Sequence, residues 1–319
     1  EALVDDLERH RAGRPVRARP DGWAYRWGKF VRRNRLAVGA AAVISMLVVG
    51  AAVGFARQAQ LIAKERDAAR AAQREAEAVA DFVTRLFEVA DPDVSRGDNI
   101  TAVEVLDRGT DALLEGSSAP PLERARMLEV AGEAYQNLGA YERAEAAFET
   151  SLELRRQARG AGSAEVASSL HHLGALRGLM GDVEPARALL TEAVAIRRRH
   201  EDEPAGLAAT LEALGNLASD EGDFGEAEAH LREALALARS AADGPSLDVA
   251  RRALALGAVL RRRGAYAEAE PLLREALALQ RRLHGDDHLE VGHALNHLAR
   301  LLVLRGDAEA AEPLAREGL

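Results

Sequence analysis

The feature that most constrains this chain is a period. Gly139, Gly181, Gly222, Gly264 and Gly306 recur at spacings of 42, 41, 42 and 42 residues. Seven residues before each stands a small residue (Gly132, Gly174, Gly215, Gly257, Ala299), and five residues after each stands an alanine (Ala144, Ala186, Ala227, Ala269, Ala311). Three registers kept through five copies point to stacked supersecondary units rather than one irregular core. Within each copy the apolar residues step at helical spacing, so a copy reads as two helices joined by a glycine that closes the first in a left-handed cap. The small residue inside the first helix lets its partner approach, the alanine lets the second helix pack back, and leucines such as Leu273 fill the layer to the next copy. A single pair cannot bury its apolar face, so the copies are expected to stack into a right-handed superhelix over residues 121–319. The fifth copy is short and ends inside a helix with no polar capping helix, from which the natural chain is expected to continue past Leu319.

A second feature divides the chain. Leu36–Phe55, LAVGAAAVISMLVVGAAVGF, holds no charge, and Ser45 is its only polar side chain. At about 1.5 Å per residue this covers roughly 30 Å, the thickness of a bilayer core. Ser45 can return its hydroxyl to the preceding turn, leaving nothing unsatisfied in lipid. A buried core helix is usually shorter, and a signal peptide would sit close to a short basic N-terminus. Lys29, Arg32, Arg33 and Arg35 flank the run on one side and only Arg57 follows closely on the other. The positive-inside bias therefore places residues 1–35 in the cytoplasm and the repeats in the periplasm or outside the cell, a single pass through a bacterial inner membrane. Trp23, Tyr25, Trp27 and Phe30 suit an aromatic belt at the inner interface.

Charge agrees with two sides. Residues 1–35 carry net +5 and the remainder −14, which makes the stated −9. The basic segment 15–35 suits anionic membrane lipid, whereas the acidic remainder excludes a nucleic-acid partner. There is no cysteine, hence neither a disulfide nor a thiolate metal site. Abundant alanine with 4% aromatics favours close-packed helices. Residues 56–90 read as a helical stalk without Gly or Pro. Ile62, Glu65, Ala69, Ala72, Ala76, Val79, Val83, Leu86 and Ala90 step by three and four, as in a two-stranded coiled coil or a lone stalk packed on the next domain. Asp91-Pro92 stops that helix. In the connecting segment 91–120, Thr101 and Glu104 form a capping box for a helix ending near Gly116. Gly50 and Gly54 give a G-x-x-x-G face for pairing of spans, which with the stalk points to a parallel homodimer.

Two resemblances follow from these residues. Ala2–Leu7 and Gly13–Pro20, continuing through YRWGKFVRRNRLAV into the span, resemble the C-terminal end of bacterial receptor-type serine/threonine protein kinases. The resemblance implies a kinase domain upstream, of which residues 1–14 are the tail. Within this chain the glycine-rich phosphate loop, the strand lysine and the catalytic-loop residues are absent. The chain is therefore read as non-catalytic and free of cofactors, ATP and Mg belonging only to that upstream domain. Asp223-Phe224-Gly225 spells the kinase magnesium motif but lies between two helical runs and reads as repeat punctuation. The repeat anchors, with EAEPLLREALAL as their most typical phrase, resemble tetratricopeptide repeats of the kinesin-light-chain-like subtype. The fold class is thus all-α, with a single transmembrane helix and stalk before an α-solenoid.

The tetratricopeptide resemblance implies a protein or peptide partner held against the first helix of each pair. Carried onto this chain, that register names Glu133, Asn137, His171, Glu212, Asn216, Arg251, Asn296 and Arg300. The lysines of the carboxylate-clamp version are missing around Asn216, which argues against a chaperone-tail ligand. His284, His288, His293 and His297 fall within fourteen residues, but their phrase matches the ordinary inter-repeat segment of this subtype, so no metal site is assigned. Arg261–Arg263 ends a first helix, where cations complement the dipole, and reads as a solvated face. A membrane-anchored adaptor without any kinase domain is the alternative reading of the whole.

Overall fold

The computed structural model describes residues 2–12, 14, 22–89, 101–116, 119–200 and 204–318. Among the described residues every regular element is an α-helix. The chain divides into two compact units, Glu1–Arg74 and Glu75–Leu319.

The first unit holds α1 (Ala2–Arg11), α2 (Trp23–Arg33) and most of α3 (Arg35–Val89). Asn34 separates α2 from α3 with φ −115° and ψ 40°, its N–H still reaching the Phe30 carbonyl. Trp27 stacks on Phe30 with ring centroids 5.7 Å apart, one turn of α2 aligning them. α3 contains a segment, Arg35–Ala63, long and apolar enough to cross a membrane, and none of its apolar window is buried within the chain. The sequence boundary between residues 55 and 56 is no structural break. No proline interrupts the chain there, so hydrogen bonding runs on to Val89 in one 55-residue helix. Gly50 and Gly54 lie on it with open space around them. The expected stop at Asp91-Pro92 and most of the kinase-like GRPVRARP phrase fall outside the described residues.

In the second unit α4 (Ala102–Glu115) precedes five hairpins. They are α5 (Pro121–Asn137) with α6 (Tyr141–Arg159), α7 (Ala164–Met180) with α8 (Val183–Arg197), α9 (Pro204–Glu221) with α10 (Phe224–Ala241), α11 (Leu247–Arg263) with α12 (Tyr266–His284), and α13 (Leu289–Leu304) with α14 (Ala308–Glu317). The capping box forms as read: the Glu104 N–H donates to Thr101 Oγ1 at 3.2 Å, and the Thr101 N–H donates to Glu104 Oε2 at 2.8 Å. α4 closes at Gly116, and the Tyr135 hydroxyl donates to Asp107 Oδ1 at 2.7 Å, tying α4 to α5.

The hairpin glycines act as the period requires. Gly264 has φ +89°, a left-handed conformation that an L side chain would strain, and the Ala265 N–H reaches back to the Leu260 carbonyl. A Cβ on Gly257 would stand 2.7 Å from Leu273 Cδ2, and one on Gly132 would stand 2.5 Å from Phe148 Cε1. Only hydrogen fits where these helices cross. The partner side chain lies sixteen residues on each time: Phe148, Leu190, Leu231 and Leu273, all buried.

Each second helix packs on the next first helix (α6 on α7, α8 on α9, α10 on α11, α12 on α13). From α7 onward the first helices also touch in succession, α7 with α9, α9 with α11, and α11 with α13. They form the inner row of the stack. The second helices carry a repeating outer ladder: Arg156–Glu192, Arg198–Glu233, Arg239–Glu275 and Arg281–Glu317.

Candidate peptide-binding face

The row of first helices presents one stripe per repeat. Of the eight residues read from the sequence, Glu133, Asn137, Asn216, Arg251, Asn296 and Arg300 are exposed on these helices. His171 and Glu212 are not free surface. They occupy one shared register, three residues before the packing glycine, which leans against the neighbouring first helix. Burial, with His172 and Arg197 nearby, pushes the His171 imidazole down to about 3, and its Nδ1 has no hydrogen-bond partner. Burial pushes the Glu212 carboxyl up, against the pull of Arg251 and Arg252, whose Nε atoms stand 3.3 and 3.4 Å from it. His171 is thus neutral at physiological pH, and Glu212 is already engaged.

The strongest electrostatic feature of the inner row is one that the sequence reading missed. Glu129, in the same register as His171 and Glu212, is 1% exposed. Arg155 donates to both its oxygens at 2.8 Å, His172 Nδ1 lies 3.0 Å away, and Arg126 also pairs with it. Burial alone would raise the Glu129 carboxyl, but the hydrogen bonds from His172 and Arg155 prevail and hold it far below the usual carboxylate range. Arg155 further donates to Ser169 Oγ at 2.8 Å. One hairpin on, Arg197 repeats the arrangement with Thr210 Oγ1 at 2.6 Å. In the third hairpin the matching residue is Ala238, and the buried guanidinium comes instead from Arg252 of the following helix, opposite it in register. The slot for one large cation between hairpins is kept while its donor helix changes. Strict register comparison of Arg155, Arg197 and Ala238 could have exposed this.

The other sequence readings resolve individually. Asp223 is an N-cap, its Oδ1 accepting from the Glu226 N–H at 3.0 Å, so the Asp-Phe-Gly phrase starts α10. His284 and His288 stack at 3.9 Å between ring centroids, and His288 Nδ1 accepts from the Glu290 N–H. Among the described residues no group of three or more His, Cys, Asp or Glu converges as metal ligands would. The arginine run is not a uniform solvated face. Arg263 pairs with Glu228, and Arg262 donates to Ser219 Oγ at 2.7 Å and covers the Phe224 ring. Arg261 turns inward and is half-buried.

Stacked helical hairpins with an exposed inner row define an α-solenoid interaction repeat. A profile described as tetratricopeptide repeat matches residues 123–199 and 248–319, and a second profile of that description matches 207–242. Together they cover more than half of the chain, which belongs to the tetratricopeptide-repeat family. No curated protein sequence matches it. Among solved structures it is similar to a putative kinesin light chain from Podosopora anserina with nearly identical TPR-like repeats. Identity there is 20%, coverage is 63% of this chain and 95% of that one, and the TM-score is 0.54. It is similar to BtubC (BKLC) from P. vanneervenii at 20% identity, 66% and 92% coverage and TM-score 0.51. A Rap protein complexed with Competence and Sporulation Factor matches at 15% identity, 76% and 63% coverage and TM-score 0.57. At these identities the likeness is one of fold, and it includes kinesin-light-chain-type arrays.

Proposed function

We propose that this chain is a membrane-anchored interaction module that holds a protein or peptide partner along its row of first helices. The carrying observation is that row itself: four of its five helices display Glu133, Asn137, Asn216, Arg251, Asn296 and Arg300 to solvent beside a packed interior. A solved relative of the same fold holds a bound factor, which supports the same use here. The exposed apolar surface of α3 supports the anchor. Val43, Met46, Val49 and Phe55 are all solvent-facing, an arrangement that a water-soluble core helix would not adopt. In this proposal the span lies in a bacterial inner membrane in contact with its lipid, with the N-terminus cytoplasmic and the array on the far side. The kinase-like tail in α1 supports a parent serine/threonine kinase of which this is the non-catalytic part, with Gly50 and Gly54 pairing two spans.

Alkaline phosphatase fused after Gly116 is expected to be active, and fused before Leu36 inactive; the reverse pattern overturns the orientation. Crosslinking of the full chain in its native membrane, through a photoreactive residue at Asn216, is expected to capture a protein partner. Capture that is equal from an outer-ladder position such as Arg198 overturns the inner row as the binding face. Coding sequence upstream of Glu1 without a kinase domain overturns the kinase assignment and leaves an adaptor.

A further inference from the structure

The fifth hairpin departs from the other four where its two helices face each other. Four hairpins set a glycine against a large side chain sixteen residues on, as in Gly257 and Leu273; the fifth has Ala299 and Ala315. The side chain that starts the second helix is Tyr141, Val183, Phe224 and Tyr266 in those four, and Ala308 in the fifth. Without these side chains a cleft of about 440 Å³ stays open, floored by Ala299, Val303, Ala308, Ala311 and Ala315. Arg261 of α11, with Asn296, Arg300 and Leu304 of α13 and Glu312 of α14, completes its lining.

The electrostatics of this cleft are uncompensated. Arg261 and Arg300 make no ion pair with any described carboxylate, whereas the outer arginines are matched one by one. Arg261 Nε and His297 Nδ1 are buried without a hydrogen-bond partner. Burial, with Arg300 and Arg262 close by, pulls the Arg261 pKa down. Burial, with Arg261, Arg300 and His293 close by, does the same to His297. The one acid on the rim, Glu312, is held by Arg316 of its own helix at 2.5 Å. Two guanidinium groups are thus gathered at this cleft with no ion-paired carboxylate among the described residues.

We propose that this cleft binds a carboxylate-bearing peptide segment, the carboxylate lying between Arg261 and Arg300 and an adjoining aliphatic side chain resting on the alanine floor. Guanidinium groups match a carboxylate bidentately, and the apolar floor strengthens that contact by excluding water. The volume lies within the usual range of ligand pockets, about 300–1,000 Å³. The carboxylate is that of an Asp or Glu side chain or of a chain terminus. The assignment rests on the reading of the array as a peptide-binding module and gives it a ligand class.

The test uses the full chain in detergent micelles and the anisotropy of fluorescein-labelled hexapeptides. These alternate Leu with Asp, as free acid and as amide, beside Leu/Asn and Leu/Lys counterparts. The Leu/Asp free acid is expected to bind, with affinity falling on added salt and about tenfold or more in Arg261→Met and in Arg300→Met. The amidated form keeps its affinity if side chains supply the carboxylate, and loses it if the terminus does. Ala308→Tyr restores the tyrosine that starts the second helix in two of the other hairpins and is expected to abolish binding while the melting temperature holds, since position 308 is exposed, which separates site from fold. Binding of Leu/Asp peptide that survives all three substitutions, or equal binding of Leu/Asn, overturns the assignment. Self-association of the chain that the same substitutions abolish also overturns it, since a second copy then fills the cleft. Binding of Leu/Lys alone overturns this site and leaves peptide binding intact. Absence of binding by every peptide overturns the site, and loss of partner crosslinking at Asn216 as well would remove the peptide-binding reading itself.

Discussion

Gly257→Ala is expected to destabilise the array even though alanine is the better helix former. The gain in helix propensity is about 1 kcal/mol. Against it, the new Cβ would lie 2.7 Å from Leu273 Cδ2 and 2.8 Å from Leu273 Cγ. Ordinary carbon contacts begin near about 3.5 Å, so α11 and α12 must separate by several tenths of an ångström or more. The Cγ is a branch point close to the backbone of α12 and cannot swing aside as a chain end could. Overpacking of this kind costs about 1–3 kcal/mol, which leaves a net loss of up to about 2 kcal/mol. Leu273→Ala alone should cost about 2–5 kcal/mol, since Leu273 is fully buried. The double variant recreates the Ala299/Ala315 pairing of the fifth hairpin, where the Cβ has room. It should therefore cost about 1–3 kcal/mol less than the two singles added. Urea unfolding in micelles followed by far-ultraviolet circular dichroism measures all three. A stabilised Gly257→Ala variant, or strict additivity in the double, would refute close approach as the reason for glycine in this register.

Two further outcomes follow from the buried polar row. Arg155→Met removes the two-point partner of Glu129, which is 1% exposed, leaving only His172 and Arg126, and should cost up to about 3 kcal/mol in the same unfolding assay, whereas Arg155→Met with Glu129→Leu should cost less than Arg155→Met alone; equal or greater loss in the double variant would show that the pair is not coupled. His171, held down to about 3 when folded against about 6.5 when unfolded, takes up a proton only on unfolding between those values. Its contribution is complete above about pH 6.5 and is lost as pH falls toward 3, at up to about 1.4 kcal/mol per pH unit. His171→Asn should flatten the pH dependence of stability in that window, and an unchanged slope would show that His171 titrates normally.

The period, the hairpins and their breaks were legible in the residues. Gly264 and its equivalents are spaced by the geometry of one repeat, and the Thr101–Glu104 box and the glycine at four of the five crossings depend on contacts within a turn or within one hairpin. Such features are fixed by local sterics, which a sequence pattern reports directly. The continuity of α3 was half legible: hydropathy locates the apolar run, but hydropathy changes at residue 55 while backbone hydrogen bonding does not. Tertiary structure alone decided which charges meet. Glu129 finds Arg155 26 residues away and His172 43 residues away. Of three consecutive arginines, Arg262 and Arg263 are satisfied by Ser219 and Glu228 while Arg261 turns into an open cleft. A long polar side chain reaches several ångströms in any of its rotamers. Its partner is set by how far one helix stands from the next, a distance governed by the residues at the crossing rather than by its own neighbours in sequence.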